Sequence, residues 1–357
     1  NGYTPSKSNE AYWNNGTVNW FRMEDIRANG KRLKDSIQKI TPEAVKKGIL
    51  FKANSIALST SATIGEHALL EVDCLTNQRF TVFTLKKKYE TVVDMNFVNY
   101  YFDIIDIWCK RHLNQGNFAS VDMEALKKYE IPVPPIEIQK EIVVILDKFT
   151  ELEFGLKSEL EVRKKQYEYY RDILIDNVEG RSGKLIEMLC QPVTDGPHTT
   201  PKLVSEGIPF ISATAIHEGR IRSEDAQGFI TKEFDDECSK KYKPRRDDVY
   251  MVKSGSTTGK VGYVDTDADF NIWSPLAAMR VNSECSARYL FHLLQTQSIQ
   301  FQVSTRMSHG SQPNLSMRVL EQFDVIIPTL QEQIRIVNIL EKYDTLCNDN
   351  EKGLPAE

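Results

Sequence analysis

The chain has 357 residues, enough for two domains that each bury a core. Its composition, 41% hydrophobic and 27% charged, is that of an ordinary globular protein, and no run of 18 apolar residues or charged-then-apolar leader points to a membrane span or to secretion. Six scattered cysteines without a C-x-x-C pair argue against structural zinc and fit a reducing cytoplasm, and the net charge of −5 excludes a uniformly basic surface.

Residues 1–134 read as a first mixed α/β unit. A strand at Trp20-Phe21 comes first, then "NSIALSTSATIGEHALL", two β runs around small polar residues that predict a hairpin. A helical patch over 96–113, the polar loop "NQGNFAS", a short helix and a strand ended by Pro134 complete it. Residues 135–180 predict one long helix of roughly 60 Å at 1.5 Å per residue. Its apolar positions are Ile138, Ile142, Ile145, Phe149, Leu152, Leu156, Leu160, Tyr167, Tyr170 and Leu174. Steps of three and four along these positions make a coiled-coil seam, with a stutter near Leu156–Leu160.

Residues 181–328 repeat the design. A lead-in, "GKLIEMLCQPVT", precedes a Phe210-Ile211 strand, the hairpin "DDVYMVKSGSTTGKVGYV", a helical patch over 286–306, the loop "SHGSQPN", a short helix and a strand ended by Pro328. Residues 329–357 predict a second, shorter helix whose seam is Ile336, Ile339, Leu340 and Tyr343 before Gly353 and Pro355 break it. "NGYTPSK" at the start resembles "DGPHTTPK" at 195–202, yet only the second copy has a lead-in, so both ends read as trimmed.

The repetition can be counted. Sliding 116–149 over 310–343 without a gap gives ten identities in 34 positions, among them Pro134/Pro328, Gln139/Gln333, Ile142/Ile336 and Leu146/Leu340. Composition alone would give roughly two. The offset of 194 residues is far beyond a solenoid period, so the chain is a duplicated domain-plus-helix unit. The two helical segments, 137–179 and 331–357, carry net charges of −4 and −3, which leaves the rest of the chain at about +2. The acid is on the helices, a distribution that permits binding of an anionic polymer by the domains.

Motifs for catalysis do not emerge. "GSTTGK" has three residues between its glycines and Val261 after Lys260, so it lacks the spacing and hydroxyl of a P-loop. "VPPI" lacks the amide or acid and the aromatic of an amino-methyltransferase loop, and the adjacent Asp247 and Asp248 read as solvated acids. No catalytic residue and no metal ligand set is expected. What remains is polar. Lys110, Arg111, Asn114, Gln115 and Asn117 in the first loop, and Arg306, His309 and Gln312 in the second, are of the types that match base edges in the major groove. Lys253, Ser254, Ser256, Thr257 and Lys260 line the second hairpin, with Lys260 suited to a phosphate. The competing reading for all of them is loop capping.

The duplicated "EIQKEIVVIL"/"EQIRIVNIL" helix starts, "GYTPSKSNEAYW" and "RKKQYEYYRDILI" resemble the specificity subunits of type I restriction-modification systems, over nearly the whole chain. That resemblance implies an α+β fold: two similar target recognition domains joined by long helices forming an antiparallel coiled coil. It implies a split double-stranded DNA target, one half per domain. It also implies helices that dock two methyltransferase subunits, with restriction and translocase subunits joining the same cytoplasmic prokaryotic complex. S-adenosylmethionine, ATP and Mg would then belong to the partner subunits, and this chain would hold no cofactor. The alternatives are a specificity subunit of a related two-component or type II-like system, a methyltransferase or nuclease with an unrecognised site, and a coiled-coil scaffold that never touches DNA.

Overall fold

A computed structural model describes residues 1–114, 119–308 and 313–348. The chain forms two compact units, Asn1–Leu156 and Lys157–Glu357.

In the first unit the strand Val18–Phe21 pairs antiparallel with Lys39–Ile40 and parallel with Cys74–Thr76. A second sheet has the order Arg32–Leu33, His67–Leu70, Ser55–Ser59, Phe80–Thr84. The strands Ser55–Ser59 and His67–Leu70 are buried at every position, which is why they show no in–out alternation. They form the expected antiparallel hairpin. Helix Met95–Arg111 starts at Asp94, whose side chain accepts from the Asn96 amide, and it ends with Lys110 and Arg111 against the negative end of the helix dipole. Its Phe102, Ile105 and Cys109 join Ile56, Leu58 and Leu69 of the sheet in one core.

The second unit repeats this topology. Ile208–Ile211 pairs antiparallel with Gly228–Ile230 and parallel with Asn271–Ile272. Arg220–Ile221, Val261–Tyr263, Val249–Val252 and Leu276–Met279 follow in the order and directions of the first sheet. Ile216–His217 and Thr194–Asp195 extend the two edges. The expected hairpin is present, with Val249–Val252 antiparallel to Val261–Tyr263.

Two expectations are corrected. The helical patch over 286–306 is two helices, Ala287–Leu294 and Gln297–Arg306, because Thr296 caps the second and its side chain accepts from Ile299. The Pro-terminated strand exists only in the second unit. There Asp324–Ile327 pairs with Arg181–Lys184, whereas residues 130–134 have no strand partner among the described residues and stay extended coil.

The long helix runs unbroken over Ile136–Asp176, 41 residues. The repeated glutamine explains how each helix is fixed to its own domain. Fully buried Gln139 donates to the carbonyls of Val92 and Pro134 (2.8 and 2.7 Å) and accepts from the amide of Asp94 (2.8 Å). In the second copy Gln333 donates to Pro328 and Glu284 (2.9 and 3.3 Å) and accepts from Ser286 (2.8 Å). Asp94 and Ser286 each cap the preceding domain helix, so one side chain ties two helix starts together.

The seam residues divide. Ile138, Ile145, Phe149, Leu152 and Leu156 are exposed, and Ile142 and Leu160 are half-buried. In the second unit Tyr167 and Leu174 pack against the domain core, Ile336 and Leu340 are fully buried within it, Ile339 is half-buried, and Tyr170 stacks on Tyr343 at 5.6 Å. Ile336 and Leu340 are therefore domain core rather than a seam apart from it. The helix face that covers the first domain is marked by Gln139 and Val143 instead.

Candidate nucleic-acid interface

The topology brings each hairpin turn against the polar loop that follows the domain helices. In the second unit Ser254 bridges Asn314, Gly255 donates to the Pro313 carbonyl (3.0 Å), and Leu315 donates to the Lys253 carbonyl (2.7 Å). In the first, Ser61 bridges Ser120, and Val121 donates to the Thr60 carbonyl (3.0 Å). Each turn closes through a left-handed glycine lying under a helix. A Cβ on Gly65 would meet the Asp106 carbonyl at 2.5 Å, and one on Gly259 would meet Gln300 Oε1 at 2.7 Å. The two segments picked out in the sequence are thus one surface in each domain.

Among the residues expected there, Lys110, Arg111 and Asn114 are exposed at the end of the first domain's helix. Ser256, Thr257 and Lys260 are exposed on the second hairpin, and Ser254 is half-buried. Gln115, Asn117, His309 and Gln312 lie outside the described residues. Three cations are already engaged. Lys260 donates to the Ile216 carbonyl at 2.5 Å. Arg306 donates to the Gln322 carbonyl (3.0 Å) and to Asp324 (2.6 Å), which holds it against the edge strand rather than over the loop. Lys253 is only 8% exposed and sits 3.3 Å from Asp195.

That last contact belongs to a cluster that sequence reasoning passed over. Asp195 is buried at the sheet edge. Its carboxylate accepts from Lys241 at 2.5 Å, and Lys253 and His198 lie 3.3 and 3.0 Å from its other oxygen. Burial opposes its ionisation, but the Lys241 and Lys253 ammonium groups outweigh it and hold the carboxyl below the usual carboxylate range. Gly196 is required beside it, since a Cβ there would lie 1.9 Å from the Ile272 carbonyl. The signal was "DGPHTTPK", legible as a repeat but not as a charge cluster. At the matching place in the first domain the side chains are uncharged: Asn1 accepts from Thr81 (2.9 Å), and Thr81 shares a hydrogen bond with Thr60 (3.1 Å).

Two other acid-containing groups are structural. Asp248 is fully buried rather than solvated. It accepts from the Arg245 amide (2.8 Å), from the Tyr242 hydroxyl (2.5 Å) and from both arms of Arg280 (2.7 Å). His67, Asp103 and Asp106 bring one ligand atom each within 4.8 Å of one another, but His67 bonds Asp106 directly at 2.6 Å and Lys31 pairs with Asp103. His67 Nε2 and Asp106 Oδ1 are buried without a hydrogen-bond partner among the described residues.

The model of the type I restriction modification DNA specificity domain matches the sequence twice, over residues 1–162 and 197–357. This chain belongs to that family. Among other members of the type I specificity family, the Escherichia coli type I restriction enzyme EcoprrI specificity subunit is 38% identical over 369 residues, spanning 98% of this chain and 85% of its own length. The EcoR124I/EcoR124II specificity subunit from the same species is 32% identical over 243 residues, covering 65% of this chain and 59% of that one. A solved structure described as the structural basis of complex assembly and conformational transition of the type I R-M system aligns with a TM-score of 0.62 at 15% identity, covering 94% of this chain and 85% of that chain. The type I S subunit of M. genitalium aligns over 98% of this chain and 87% of its own, with a TM-score of 0.50 and 15% identity. At these identities the structures establish the fold. Two similar α+β specificity domains carrying long helices are the architecture of the family.

Proposed function

We propose that this chain is the DNA-specificity subunit of a type I restriction-modification complex, reading one half of a split double-stranded target with each domain. The carrying observation is the duplication of the interface itself. Both domains share the order of four strands in the main sheet, and each seats a hairpin turn against a polar loop. Exposed Lys110, Arg111 and Asn114 in the first domain and Ser256 and Thr257 in the second are the candidate base and backbone contacts. Gln115, Asn117, His309 and Gln312 are proposed with them on chemistry alone. The chain itself is non-catalytic in this reading. Methyl transfer from S-adenosylmethionine, and ATP- and Mg-dependent translocation and cleavage, belong to two methyltransferase subunits and to restriction subunits of one cytoplasmic complex. The exposed stripe Ile138, Ile145, Phe149, Leu152 and Leu156 is the proposed docking face for a methyltransferase subunit. Among the described residues no helix is long and apolar enough to cross a membrane.

The test is methylation of duplex DNA by the purified chain, by the methyltransferase subunits and by the two together. Sequence-specific methylation only in the mixture supports the proposal. Methyl transfer by this chain alone would make it an enzyme, and specific methylation without it would make it a scaffold.

A further inference from the structure

The group around Asp195 is built differently in the two domains, and the difference has a consequence for binding. Lys253 neutralises the buried carboxylate from within the domain, being 8% exposed. Lys241 and His198 meet the same carboxylate from the solvent side, with side chains 54% and 72% exposed. One buried acid therefore holds two lysines and a histidine, an excess of one positive charge with the histidine neutral. It lies on the edge strand Thr194–Asp195, paired through Ala277 to Met251, two residues before Lys253, where the hairpin turn begins. The matching group in the first domain, Asn1, Thr81 and Thr60, carries no side-chain charge.

Resting on the DNA-reading function above, we propose that Lys241 and His198 form a backbone-phosphate contact of the second domain, with Asp195 as the positioning residue that aims them. The ligand is a phosphodiester oxygen of duplex DNA. An ammonium held at 2.5 Å by a buried carboxylate has lost its rotamer freedom before the DNA arrives, so it binds without that ordering cost. Such a contact carries no base information. It fixes how the second domain lies on the duplex.

The experiment measures affinity of the chain complexed with its methyltransferase subunits, between 50 and 200 mM salt. The probes are a duplex carrying the motif found by methylation mapping and a scrambled duplex. Lys241→Gln removes the charge but keeps an amide donor toward Asp195, and its melting temperature is measured beside that of the wild type so that lost stability is read separately from lost affinity. The substitution should lower the slope of log affinity against log salt by nearly one on both duplexes, so that over this salt range the variant loses about threefold less affinity than wild type. Asp195→Asn separates positioning from simple charge. An acid that is merely near DNA should tighten binding when neutralised, whereas a positioning acid should weaken it severalfold on both duplexes with the ratio between them kept. An unchanged slope in Lys241→Gln, or tighter binding by Asp195→Asn, overturns the proposal. Should Asp195→Asn melt early, Lys241→Gln alone decides. A wild-type complex that binds neither duplex would overturn the DNA reading itself, an outcome distinct from wild-type binding with unaltered variants.

Discussion

Individual side chains in this protein work chiefly by fixing one element to another. Buried Gln333 satisfies three backbone groups at once, on Ser286, Pro328 and Glu284. Gln333→Ala would strand them, and unfolding by denaturant should show a loss of about 1–3 kcal/mol. Equal stability would mean that water replaces the amide. His292 offers a pH readout. It is buried against Arg288 and Arg171, and Tyr167 on the long helix bonds its Nδ1 at 2.9 Å. Burial, reinforced by those two arginines, pushes its pKa down to about 3 from an ordinary 6.5. The folded chain then stays unprotonated where the unfolded chain takes up a proton. The contribution of His292 is complete above pH 6.5 and is lost as pH falls from there toward 3. Between pH 7 and pH 5 this amounts to roughly 2 kcal/mol at most. His292→Gln should flatten the acid dependence of unfolding over that interval, and an unchanged profile would place the proton elsewhere. The Gln139/Gln333 identity marked the glutamine without saying what it holds, and nothing marked His292, since a lone histidine looks alike whether buried or solvated.

At the scale of elements, the long helix carries two faces with different tasks. Its periodicity was legible: the steps of three and four mark a real apolar stripe. What the period cannot say is which body covers the stripe. In the first domain the face toward the core holds Gln139 and Val143, while Ile145, Phe149 and Leu152 face outward. In the second copy Ile336 and Leu340 turn into the core. Substitutions should separate these cases. Leu340→Ala, at a fully buried position, should cost about 2–5 kcal/mol in thermal or chemical unfolding. Phe149→Ala, at 64% exposure, should change stability by no more than about 0.5 kcal/mol yet weaken co-purification of the methyltransferase subunit. Retained co-purification would move the docking face off this stripe. If the helix also sets the separation of the half-sites, inserting four residues after Leu156 lengthens it by about 6 Å. Methylation mapping should then return the same half-sites with a spacer longer by a base pair or two. An unchanged spacer would show that the helix does not measure the target.

For the molecule as a whole, duplication is the organising fact. Ten identities in 34 positions exposed it in the sequence, and the common strand order of the two sheets is its structural counterpart. The shared parts were legible because they hold the scaffold: the helix starts, the Pro134/Pro328 pair and the Gln139/Gln333 pair. The reading surfaces were not, because the two copies diverge there. Thr60 stands where the other domain has Lys253, and Asn1 where it has Asp195. Cations such as Arg306 that look free in a polar loop are held by a neighbouring carboxylate that spacing does not reveal. Separate domain cores also mean that changes in one reader should leave the other untouched. The most direct check is genome-wide methylation mapping in a host whose methyltransferase subunits are paired either with this chain or with a chimera. In the chimera residues 181–328 are replaced by the matching segment of another member of the family. We expect a split motif in which the chimera changes one half and keeps the other half and the spacing. A continuous motif, or a chimera that alters both halves together, would contradict the assignment of one half-site to each domain.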